Sequence, residues 1–72
     1  MKPALMQILF LSDMLQKDKT LQKYYYMENV FDKLMNIKSY RLYKYILYLL
    51  INNKRVKLNK ILKQLGFKAR KL

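Results

Sequence analysis

The side chains of this chain that can do chemistry are nearly all of one sign. Sixteen Lys and Arg stand against four Asp and Glu, among seven tyrosines, with no histidine and no cysteine. Nucleophile candidates reduce to two serines and one threonine, and there is a single glycine. That removes the usual nucleophile–base pairs, His/Cys metal sites and glycine-rich phosphate loops, so no catalytic residue, metal ligand, cofactor or small-molecule substrate is expected. Glu28 and Asp32 are spaced by one helical turn, where two carboxylates can hold a metal or share a proton. No histidine or third carboxylate joins them, and they are expected as surface charges. What remains is binding chemistry. Lysine and arginine neutralise phosphates and release counterions, and tyrosines beside them stack on unpaired bases.

The cations are not spread evenly. Residues 1–38 hold six basic residues and all four acids, a net of +2, whereas residues 39–72 hold ten basic residues and no acid, a net of +10. A block of one sign repels itself unless an anionic partner neutralises it: nucleic acid, an anionic membrane or an acidic protein. Two patches are expected on the nucleic-acid reading. Arg41, Lys44, Tyr45, Tyr48, Lys54 and Arg55 make one; Lys57, Lys60 and Lys63, with Lys68, Arg70 and Lys71 beyond them, make the other. A membrane surface is disfavoured, because the apolar N-terminal half is separate from the charge. No stretch approaches the ~20 apolar residues needed to span a bilayer.

The elements that must position these groups read as all-α: one domain over 1–72, a bundle of three to four helices, with a basic tail at 68–72. Its centre is Ser39–Asn52, SYRLYKYILYLLIN, with Ser39 as N-cap. Leu42, Tyr43, Ile46, Leu47, Leu49 and Leu50 cover an arc wide enough to be touched on several sides. Arg41, Lys44, Tyr45, Tyr48 and Asn52 share the remaining face. Ahead of it, Pro3 fits the first position of a helix running from Ala4 to about Gln16. Its large apolar residues point all round the axis, so Leu5, Ile8, Leu9, Phe10 and Leu11 are expected to dock on a neighbouring protein. A second helix is expected from the Asp18 or Thr20 cap to about Asn36, with a core stripe of Tyr24, Met27, Phe31, Leu34 and Met35. Tyr25 and Tyr26 fall outside that stripe. A last helix buries Leu58, Ile61, Leu62 and Leu65 and closes on Gly66, with Phe67 packing back on Leu62. Lys68–Leu72 has little reason to order by itself.

The segment Tyr45–Phe67, YILYLLINNKRVKLNKILKQLGF, resembles the opening of a helix-turn-helix or winged-helix DNA-binding domain. In that family an apolar helix and a polar loop precede a short helix closed by Leu-Gly-hydrophobic, here Leu65-Gly66-Phe67. The resemblance implies a recognition helix next, for which Lys68–Leu72 is too short.

The expectation from these readings is a non-enzymatic nucleic-acid-binding protein, foremost a structural RNA-binding component of a ribonucleoprotein such as a ribosome, with RNA favoured over DNA. The alternatives are a small helix-turn-helix-like DNA-binding regulator, or a phage-type inhibitor or adaptor for an acidic protein. Heavy use of Lys, Asn, Tyr, Ile and Leu suits an AT-rich genome. That points to an intracellular setting, either an organelle such as the mitochondrion or the host cell of a phage or parasite.

Overall fold

The central helix forms where its cap and periodicity put it. The computed structural model describes residues 1–71; Leu72 of the expected tail lies outside the described residues. The helices run α1 (Leu5–Lys17), α2 (Lys19–Tyr24), α3 (Val30–Leu34), α4 (Tyr40–Ile51) and α5 (Arg55–Gln64). The Ser39 hydroxyl accepts the Arg41 amide at 3.1 Å and starts α4. Tyr43, Ile46, Leu49 and Leu50 are buried, with Leu42 and Leu47 packed at the edge of the same cluster. α1 lies against α2 and α3, α4 lies against α5, and one apolar cluster joins the two groups. The all-α class is as predicted from the sequence, but three to four helices become five.

The extra helix comes from a break within the expected second one. Asp18 caps α2 by accepting the Leu21 amide at 3.0 Å, as expected, but α2 ends at Tyr24 and the chain runs extended through Tyr25. Aromatic residues suit an extended backbone better than a helix. Successive side chains then alternate: Tyr25 is 3% exposed and belongs to the core, whereas Tyr24 (45%) and Tyr26 (40%) face outward. The expected assignment of Tyr24 to the core and Tyr25 to the outside is therefore reversed. Asn29, at φ 51°, turns the chain into α3. Glu28 lies ahead of α3 and Asp32 within it, so the two do not share one helical face.

α1 also corrects its expectation. Pro3 precedes the helix, and the Gln7 side chain accepts the Ala4 amide at 2.7 Å instead. Ile8, Leu11, Ser12 and Leu15 are buried at i, i+3, i+4, i+7, a regular stripe hidden in the sequence by the small polar Ser12. Ile8 and Leu11, expected at a protein interface, are thus in this chain's own core. Leu5, Met6, Leu9 and Phe10 remain exposed. The radius of gyration, 11.2 Å, is about what the compact-chain relation gives for this length, so those residues are not exposed by loose packing.

α4 and α5 end alike. At α4 the Lys54 amide bonds Leu49 O (2.9 Å) and the Asn53 amide bonds Leu50 O (3.4 Å); at α5 Phe67 bonds Leu62 O (3.0 Å) and Gly66 bonds Lys63 O (3.1 Å). Both are Schellman caps with a left-handed residue, Asn53 at φ 54° and Gly66 at φ 101°. Phe67 is buried as that motif requires.

The tail does not hang free. The Tyr26 amide donates to Lys68 O at 2.9 Å and the Arg70 amide to Tyr24 O at 2.8 Å, pairing Tyr25 with Ala69 in an antiparallel bridge. Lys68–Arg70 is ordered by Tyr24–Tyr26, a segment expected from its sequence to lie within the second helix. No further helix follows α5 among the described residues, so the recognition helix implied by the helix-turn-helix resemblance is absent from them. None of the helices is long and apolar enough to cross a membrane.

Candidate nucleic-acid interface

Two consecutive elements bring the first set of cations and tyrosines together. Burial of one side of α4 forces Arg41, Lys44, Tyr45 and Tyr48 outward, and all four are exposed. The short turn Asn52–Lys54, bent by the left-handed Asn53, then sets the start of α5 beside them. Between the two helices lies an open cleft of about 480 Å³, walled by Tyr45, Tyr48 and Leu49 on one side and by Asn53–Lys57 on the other. Tyr45 is 40% and Tyr48 53% exposed, which leaves ring surface free for stacking. Lys54 and Lys57 are exposed at its margin, while no side chain caps α5 there. Lys44, one turn before Tyr48, leans over the Tyr40 ring, its Nζ 5.7 Å from the centroid.

Arg55 has a different role from the one expected. Its Nη2 lies 3.3 Å from Asp18 Oδ2 and 3.0 Å from Asn53 Oδ1, and its Nη1 is buried without a hydrogen-bond partner. The guanidinium therefore ties α5 to the cap of α2, with much of its charge already answered by Asp18. Arg55 is a strut in the cleft wall rather than a free phosphate contact.

The second set is divided. Lys57, Lys60 and Lys63 are exposed on α5, away from the buried Leu58 and Leu62, as the periodicity requires. Of these only Lys57 reaches the cleft. Arg70 is withdrawn: its Nε donates to Gln22 O at 2.8 Å and its guanidinium stacks 4.6 Å from the Tyr26 ring centroid. Lys68 and Lys71 keep exposed side chains. Lys33, half-buried, is also engaged within the chain, bonded to Glu28 O and 5.4 Å from the Phe67 ring.

The electrostatic consequence is plain. The ion pairs among the described residues are Lys17–Asp13 at 3.0 Å and Arg55–Asp18 at 3.3 Å. Every other cation of α4, α5 and the tail lacks a carboxylate partner among them. The burial that shapes this surface also acts on two phenols: it pushes Tyr25 upward, and burial together with neighbouring Tyr40 raises Tyr43. Sequence reasoning missed Asn53 and Val56 as cleft residues. The Asn-Asn pair after an apolar helix was a readable signal for a left-handed cap; nothing in the pattern marked Val56.

Comparison of the chain with family models, with curated proteins and with solved structures returned no match.

Proposed function

We propose that this chain is a non-enzymatic nucleic-acid-binding protein, a structural RNA-binding component of a ribonucleoprotein such as a ribosome. The observation that carries the reading is the α4–α5 surface, where exposed Tyr45 and Tyr48 adjoin Lys54 and Lys57 and no acid follows Lys38 in the sequence. Cations supply sequence-independent affinity for phosphate, and half-open tyrosine rings favour unpaired bases, which folded RNA offers in loops and bulges. The exposed Leu5, Met6, Leu9 and Phe10 of α1 would rest on a neighbouring protein in the same particle. An organelle with an AT-rich genome, or a host cell, is the proposed setting.

One observation favours a second reading. α4 and α5 are joined by a turn of the length found in helix-turn-helix units, and α5 presents Lys57, Lys60 and Lys63 outward. On that reading α5 itself would lie on duplex DNA. An adaptor for an acidic protein is the remaining outcome.

Fluorescence anisotropy of the whole chain with labelled RNA and DNA, titrated with salt, tests the proposal. Contact with about five phosphates of a single strand lowers affinity roughly a hundredfold between about 50 and 200 mM salt. A flat titration would remove nucleic acid as the partner and promote the acidic protein. A preference for duplex DNA would promote the second reading.

A further inference from the structure

We infer that the α4–α5 cleft is a site for a single unpaired nucleotide, its base laid on Tyr48 or Tyr45 and its phosphates on Lys54 and Lys57. This rests on the nucleic-acid reading and narrows it, from a charged surface to a site that selects unpaired over paired strands. The cleft's volume, about 480 Å³, falls within the range of small-ligand sites, and its opening admits a strand running past it. Its two walls differ in a way that suits a nucleotide. The α4 wall is aromatic, while the opposite wall offers Val56, 74% exposed, as an apolar face for the other side of a base.

The wall opposite α4 also supplies a polar group that phosphate binding would not require. Asn53 accepts from Arg55 through Oδ1 at 3.0 Å, which fixes its amide and leaves Nδ2 without a partner among the described residues. Nδ2 is then a donor for a ring nitrogen or carbonyl on a base edge. The left-handed backbone of Asn53 and the Arg55–Asp18 pair hold that amide before any ligand arrives. A base inside a duplex has neither face free and cannot enter, so the cleft discriminates by pairing state.

The test compares a labelled RNA of about a dozen nucleotides, as a single strand and as a duplex, by anisotropy at fixed salt. Tyr45→Leu with Tyr48→Leu should weaken single-strand binding about 5- to 150-fold and leave duplex binding nearly unchanged. Tyr48→Phe should keep wild-type affinity, because stacking needs the ring and not the hydroxyl. Lys60→Gln with Lys63→Gln, outside the cleft, should weaken both RNAs alike. Independently of any variant, tyrosine emission of the wild-type chain, which has no tryptophan, should be partly quenched by the single strand and not by the duplex. Equal losses for both RNAs, or no quenching, would overturn the cleft assignment and leave the wider nucleic-acid reading intact. Failure of either RNA to bind in a salt-dependent way would overturn both.

Discussion

Asp18 is the acid on which the fold depends most, and Asp18→Asn isolates why. Asparagine caps a helix about as well as aspartate, so the Leu21 amide keeps its acceptor and only the charge facing Arg55 is lost. The pair is partly enclosed, with 29% of the Arg55 side chain and 17% of the Asp18 side chain exposed. It lies between the surface limit of about 1 kcal/mol and the roughly 3–5 kcal/mol of breaking a fully buried pair, so about 2 kcal/mol is expected. Arg55 has no second carboxylate partner among the described residues, and its Nη1 is already buried without a hydrogen-bond partner. For a chain of this size that loss lowers the melting temperature by roughly 8–16 °C. The assay is a double-mutant cycle with Arg55→Met, followed by circular dichroism during heating and in urea. Asp18→Asn should cost near zero in the Arg55→Met background, where the guanidinium is gone. Equal costs in both backgrounds would refute the ion pair as the link between α5 and the α2 cap. Removing an acid from so basic a chain would otherwise be expected to favour anion binding. At this position the loss of stability comes with it.

Ile46→Asp or Leu49→Asp should unfold the domain, each placing an unpaired charge at a buried site, while Tyr48→Ser on the exposed face should leave the circular dichroism spectrum intact. Gly66→Ala has room for the methyl group, its nearest contact being Lys33 Cε at 3.9 Å, but the backbone at φ 101° should make it about 1–2 kcal/mol less stable in urea. Burial raises the Tyr25 and Tyr43 phenols above 10.0, so the folded state favours their neutral forms; stability present below about pH 10 should fall as pH rises further, and Tyr25→Phe with Tyr43→Phe should flatten that alkaline decline in melts against pH. Leu5→Ser with Phe10→Ser should raise solubility without lowering the melting temperature, since both residues are exposed; a lower melting temperature would mean that they belong to this chain's core.

What was legible in the sequence was whatever a single helix decides for itself. The α4 face, its Ser39 cap, the α5 stripe and the Gly66 closure follow from 3.6-residue periodicity and cap chemistry, and they place Tyr45, Tyr48, Lys57, Lys60 and Lys63 outside. What escaped depends on partners distant in sequence. Tyr25 and Tyr26 read as helix when their neighbours alone are counted, but the chain leaves the helix after Tyr24 and runs extended through Tyr25, where Lys68 and Arg70 offer it backbone bonds. The buried α1 stripe escaped because Ser12 interrupts the apolar count. Arg55 and Arg70 looked like free cations because nothing local predicts Asp18 or Tyr26 beside them.

The pairing of Tyr24–Tyr26 with Lys68–Arg70 also sets a clock on biogenesis. Arg70 and Gln22 touch across a separation of 48 residues, an interval that takes roughly 2–10 s to translate. Until then the Tyr26 amide and the Tyr24 carbonyl stand open on either side of the extended Tyr25, a short edge able to pair with another nascent chain. Loop closure over that distance is also among the slower steps of folding, since its entropy must be lost before the contact repays it. Helices α1 to α4 can assemble early, but this bridge closes only when Lys68–Arg70 arrives. Any shortened product ending before Lys68 would carry that open edge for its whole lifetime.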